Sequence, residues 1–276
     1  MKSYLFACPI IAALAFALPA AAQPADPVGA AMDGPGALSH FDLARKDCVG
    51  TARNRPSKVW FTVADGVLSD VYFPTNDTTN NETLQYIVTD GETFTDLQTR
   101  DMTYTVRALD ERALTCRVTS TAESGRYRIV TDYVTDPDRA TVLLRSRFEP
   151  LGRRDQRDYR LYIRFNPTLN GNGGGGTGNG GADSGDIARA GGHTLLVGSD
   201  PVTTTNAANR DYAVPVRSAL DAARPFLEVS NGFAGQASDG LTQLDADRRL
   251  TQRFAQAANG NLVQTGRVDL GRDGSF

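Results

Sequence analysis

The chain has 276 residues, 40% of them hydrophobic and 22% charged, an ordinary globular composition that one large β domain can accommodate. With 29 basic and 32 acidic residues the net charge is -3, so there is no basic field for nucleic acid and no polybasic segment for anionic lipid. Two histidines and three cysteines leave little material for a zinc site.

The first residues read as an export signal. Lys2 gives a positive n-region, residues 4–18 form an apolar h-region, and Ala20-Ala21-Ala22 is an A-x-A cleavage signal before Gln23-Pro24. The apolar run is short for a membrane span. Cys8 lies within it, not at its end, which argues against a lipid-anchored cysteine. The expectation is cleavage after Ala22 and a periplasmic or secreted product. Residues 23–36, rich in Pro, Ala and Gly, read as an extended leader before a domain at 37–276.

From Val59 onward the pattern is β. Val59, Phe61 and Val63 alternate with polar neighbours, as do Val67, Val71 and Phe73, then Tyr86 and Val88. Asp65-Gly66 and Asp90-Gly91 sit between such runs as turn signals. Tyr127 to Val130 begins another alternation. Further on, Val142, Leu144 and Phe148 share one face, with Arg145 and Arg147 opposite. Tyr159, Leu161, Ile163 and Phe165 repeat the arrangement, with Arg160 and Arg164 opposite, after a return at Gly152-Arg153-Arg154-Asp155. Period 2 puts one face of each strand in a core and the other face outward. The Asn/Gly-rich stretch 170–183 lacks the Lys and following helix of a phosphate loop and reads as a connection. Leu250 and Phe254 at i, i+4 predict a short helix over 245–258, stopped by Gly260. Strands resume at Leu262-Val263 and Val268 to Leu270, and another begins near Ser275 as the sequence ends.

Few residues carry a chemical signal. Asp65, Asp70, Asp90 and Glu92 fall in turns and at strand edges, where Asp serves local hydrogen bonding. Asn76, Asp77, Asn80, Asn81 and Glu82 form an oxygen-rich cluster that could hold calcium, although the spacing is not that of an EF-hand. His40 and His193 have no accompanying nucleophile or ligand motif. Trp60 is either a sugar-stacking platform or packing, and Tyr72 and Phe73 are the other aromatic candidates for such a surface. Arg145, Arg147, Arg160 and Arg164 either grip a glycan or an acidic partner or form a solvated sheet face. After cleavage Cys48 and Cys116 remain, either as a disulfide, which export permits, or as two buried thiols.

Six segments in order resemble the amino-terminal domain of bacterial glucoamylases and glucodextranases of glycoside hydrolase family 15. They are Val49-Gly50-Thr51-Ala52; the run from Ser57-Lys58-Val59-Trp60-Phe61 through Asp65-Gly66 to Tyr72-Phe73-Pro74, continuing to Asp90-Gly91; Gly125-Arg126-Tyr127 with Tyr133 to Pro137; Tyr162-Ile163-Arg164-Phe165-Asn166-Pro167; Ser230-Asn231-Gly232-Phe233 with Ser238-Asp239-Gly240; and Gly260-Asn261-Leu262 with Gly266 to Leu270. Leu241, where an aromatic is expected, and the long glycine loop depart from the pattern.

The resemblance implies an all-β, galactose-mutarotase-like super-β-sandwich of two large antiparallel sheets, in agreement with the alternation. In such proteins it precedes a helical linker and an (α/α)6 barrel that carries the catalytic carboxylates. No catalytic residue, metal or cofactor is therefore carried over, and the domain is expected to be truncated at its C-terminus. The reading is a non-catalytic module whose partner is a family 15 barrel. The alternative is a free-standing sandwich that binds α-glucan.

Overall fold

The period-2 segments build sixteen strands among the described residues of this computed structural model, which are 26–40, 45–110, 112, 114–171, 178, 180–200 and 214–276. The export signal and the glycine run 173–176 lie outside them. In chain order the strands are β1 (Cys48–Thr51), β2 (Trp60–Ala64), β3 (Val67–Tyr72), β4 (Thr83–Thr89), β5 (Thr95–Leu97), β6 (Met102–Asp110), β7 (Thr115–Ala122), β8 (Tyr127–Thr135), β9 (Val142–Pro150), β10 (Arg160–Asn166), β11 (Asp183–Ala190), β12 (His193–Asp200), β13 (Val216–Leu220), β14 (Glu228–Phe233), β15 (Ala257–Gly260) and β16 (Leu262–Arg267). One turn of helix, α1 (Gln98–Asp101), follows β5, and α2 (Gly240–Asp247) follows β14.

The strands form three sheets. The large one has eight strands in the order β1-β2-β3-β4-β10-β16-β14, with β5 also paired to β4. The others have four each, β6-β7-β8-β9 and β13-β12-β11-β15. Named strand pairs are antiparallel throughout. At Asp65-Gly66 the hairpin turns with both residues at positive φ (49° and 74°), closing Ala64 onto Val67. That geometry is the two-residue turn whose twist matches the strands. A Cβ on Gly66 would also lie 2.8 Å from Tyr104.

Alternation then decides the core. Phe61, Val63, Leu84, Tyr86, Leu161, Ile163 and Phe165 project from the inner face of the large sheet. Val118, Tyr127, Ile129, Tyr133 and Phe148 come down from β7–β9, and Leu196 with half-buried Ile187 and Leu220 from β11–β13. Rings interlock at the centre, with Tyr127 5.2 Å from Phe148 and 5.5 Å from Tyr159. Cys48 of β1 and Cys116 of β7 are joined across the layers, their Cα atoms 6.6 Å apart.

The opposite face of the large sheet is covered in part by α2 and the chain after it. Ile87, Leu97 and Tyr162 there pack with Leu244 and Leu250. The helix is not the one expected over 245–258. Asp239 caps it by accepting the Leu241 N–H at 3.0 Å, and Arg248 at φ 60° ends it. Leu250 and Phe254 lie past that stop in irregular chain. They anchor in different clusters, Leu250 beside Tyr162 and Phe254 beside Phe233, so their i, i+4 spacing reports two burials and no helix face. The leader is likewise part of the fold from Val28. The Val28 N–H donates to Arg253 O at 3.1 Å and the Ala31 N–H to Gln256 O at 2.8 Å, and Ala31 is buried with Phe233, Ala257 and Leu262. Small residues allow that close approach, which composition alone presents as a linker. At the other end Ser275 pairs with Arg147 of β9, and Phe276 lies 5.3 Å from Tyr86.

Candidate interaction surfaces

The first candidate surface lies on the outer face of the large sheet, at the end that α2 leaves uncovered. Cross-strand register aligns Thr51, Trp60 and Tyr72 in one row, and Val49, Thr62 and Asp70 in the next. Trp60 and Val49 are each 44% exposed. Tyr72 is half-buried, and burial together with the Asp70 charge pushes its hydroxyl up to about 12. The two aromatic residues, one exposed and one half-buried, sit side by side, and such side chains can stack on an apolar or sugar surface. Beneath it Asp70 is buried, accepts from Thr62 Oγ1 at 2.6 Å and pairs with Lys46. That carboxylate is committed to holding the sheet edge. Phe73 does not join the patch. It lines an apolar groove elsewhere, with Val71 and Leu84.

The second candidate is a concave, arginine-rich dish of about 790 Å³ on the outer face of β6–β9. Register puts Arg107, Arg117, Asp132 and Arg145 in one row across the four strands. Arg117 grips Asp132 with two bonds, 2.6 and 2.7 Å, and Arg128 reaches Glu149 at 2.5 Å. Arg147 is held by the Asp273 carbonyl at 3.0 Å. Arg107 and Arg145 have no ion-pair partner among the described residues. Five arginines against Asp132, Glu149 and Asp273 leave the dish positive.

Arg160 and Arg164 are in neither surface. Arg160 is half-buried against Gly91. Arg164 overturns the expectation of an outward, solvated cation. It is buried under the α2 segment, bonded to Asp239 at 2.7 and 3.2 Å. Alternation placed it correctly on the face opposite the core, but that face is covered here, and a buried guanidinium persists only because it is paired. Burial would raise the Asp239 carboxyl. The Arg164 charge and the N–H groups of Gly235 and Leu241 more than offset this and hold it below its ordinary range.

The remaining singled-out groups serve local structure. Asp90 accepts the Thr93 N–H at 2.7 Å and Arg154 at 3.0 Å, closing its turn, and the Asp90 carboxylate also bonds the Glu92 N–H. Asp65 accepts from Tyr104. In the oxygen-rich cluster the amide groups of Asn80 and Asn81 donate to Phe73 O and Leu68 O at 2.7 and 3.0 Å, and the Glu82 carboxylate accepts the His40 N–H at 3.4 Å. His193 braces Asp221 at 3.0 Å. Among the described residues no three His, Cys, Asp or Glu side chains converge on a metal-sized site. Sequence reasoning missed Val49, Arg107, Arg117 and Arg128. The alternating Thr105, Arg107 and Arg117, Thr119 were the available signal.

Fold and surfaces together define an antiparallel β-sandwich module that offers an aromatic patch and a basic dish. The chain belongs to the family described as "Glucodextranase, domain N", whose sequence profile matches residues 31–276. A glucoamylase of Clostridium sp. (strain G0005) is 31% identical over 246 residues, 89% of this chain and 32% of that protein. A crystal structure of a bacterial glucoamylase complexed with acarbose superposes with a TM-score of 0.79 at 29% identity, over 92% of this chain and 34% of that one. The chain thus spans about a third of the length of these relatives.

Proposed function

We propose that this chain is the non-catalytic, amino-terminal β-sandwich module of an exported glycoside hydrolase acting on α-glucans, and that it packs on a catalytic domain. The observation that carries the proposal is the family match over 31–276, together with glucoamylases of which this chain covers about one third. The carboxylates support it too. Inverting hydrolysis needs an acid and a base about 6.5–9.5 Å apart around a water, in an enclosed site. Here Asp70, Asp90 and Asp239 are each committed to a cation and to hydrogen bonds. The Cys48–Cys116 bond supports an oxidising, exported destination. The test is glucose release from soluble starch and dextran by purified protein. No release is expected alone, and release only when a family 15 catalytic domain is added. Activity that co-purifies with this chain and vanishes on changing one of its own carboxylates would refute the proposal.

A second reading, an α-glucan-binding sandwich, draws on exposed Trp60 beside Tyr72. It requires saturable quenching of Trp fluorescence by soluble α-glucan that is lost in Trp60→Ala with the fold intact. We favour the module and expect no saturable quenching.

A further inference from the structure

The two four-stranded sheets meet edge to edge across an apolar groove of about 290 Å³. One wall is β9 at Val142 and Leu144, the other is β13, and Leu68, Leu84 and Phe165 of the large sheet form the floor. Both walls are sheet edges. β9 ends the order β6-β7-β8-β9, and β13 begins the order β13-β12-β11-β15. On β9 the N–H groups of Ser146 and Phe148 point away from β8 and donate to Phe276 O and Gly274 O, at 3.3 and 2.9 Å. The Phe276 N–H returns a bond to Ser146 O at 3.0 Å. Strand alternation puts the N–H and C=O of Leu144 and Val142 in that same outward row. Among the described residues no strand pairs with them.

We propose that this groove seats one further β-strand. Its occupant is an extended polypeptide segment, antiparallel to β9, that carries on the ladder begun by residues 274–276. Two features select polypeptide over a sugar or a lipid. The open row on β9 has the N–H and C=O spacing of a β-ladder, which strand addition satisfies. The apolar floor accepts every second side chain of such a strand, while the intervening ones point to water. Seated there, the strand bonds β9 on one side and β13 on the other. The two small sheets then become one continuous layer over the large sheet, and two aggregation-prone edges are removed.

The test appends about eight residues, an ordinary strand length, directly after Phe276. One tail alternates Thr and Val. The other has the same length with proline at alternate positions, which removes the ladder donors. Hydrogen exchange is read at Val142 and Leu144. The Thr/Val tail is expected to slow the Leu144 amide by on the order of ten-fold or more in the monomer, and the proline tail to leave it unchanged. Equal effects from the two tails, or slowing confined to oligomers, would overturn the proposal. Leu220→Lys in the Thr/Val-tailed chain puts a charge into the groove and is expected to abolish the slowing. Slowing that survives it would show that the strand is seated elsewhere.

Discussion

Asp239→Asn isolates the contact that ties the outer chain to the large sheet. The Asp239 side chain is 2% exposed and Arg164 is 11% exposed, with two bonds between them. Asn keeps the size and remains a good N-cap for α2, so the change removes charge with little loss of shape. It leaves a buried guanidinium unpaired, which costs about 3–5 kcal/mol. At about 2–4 °C per kcal/mol for a domain of this size, Tm falls by roughly 6–20 °C. Arg164→Met/Asp239→Asn removes both charges and should recover much of that loss, giving a coupling of about 2–3 kcal/mol in a double-mutant cycle. Urea denaturation of the wild type, both single variants and the double variant measures it. The pH dependence has a definite sign. The folded carboxyl is held below its unfolded value of about 3.9, so its stabilisation is present above that pH and is lost as pH falls through the folded value. The wild-type advantage over Asp239→Asn should therefore shrink below about pH 4. A cost under about 1 kcal/mol, or a double variant as unstable as the two single changes added together, would refute the reasoning.

Cys48 and Cys116 close a loop of 68 residues, so Cys48→Ala/Cys116→Ala should lose up to about 4 kcal/mol, read as a lower urea midpoint that reducing agent no longer shifts. Gly66→Ala, at φ 74° and against Tyr104, should cost more than about 1 kcal/mol, whereas Gly152→Ala, with nothing within 4 Å, should leave Tm nearly unchanged. Mass spectrometry of exported protein should find a mature chain that begins at Gln23, and an intact Met1 terminus on soluble exported protein would contradict the signal reading.

The inner half of the sandwich was legible because its large apolar side chains recur at every second position, between polar or charged neighbours. Phe61 and Val63, or Leu161, Ile163 and Phe165, declare their side by alternation, and Asp65-Gly66 declares its turn by demanding positive φ. The outer half was not legible, because alternation separates two faces without saying what covers the second. Arg164 looks like a surface cation until Asp239, 75 residues away, is brought over it. The same blindness moved the helix. Ser238-Asp239-Gly240 carries the cap, yet Leu250 and Phe254 supplied the louder apolar spacing. Strand β11 hid for a different reason. Asp183–Ala190 has few large apolar side chains, and it packs through Gly185 on Leu262 and Asn231. Close backbone approach of that kind leaves no periodic trace.

The outer face of the large sheet is thus divided. Over β4, β10 and β16 the chain supplies its own cover, pinned by Arg164–Asp239 and by Leu244 on Tyr162. Over β1–β3, among the described residues, Val49 and Trp60 stay exposed beside half-buried Tyr72. A free partner would need about 800 Å² from each side for a stable interface, and three side chains cannot furnish that. A partner joined in the same polypeptide faces a different requirement. Its effective concentration is in the millimolar range for a short flexible linker, so a weak aromatic contact suffices to keep the two surfaces together. An aromatic patch of this size on a stable sandwich therefore fits a tethered module better than an independent high-affinity binder, and a linked domain is the setting in which Trp60→Ala should be most visible.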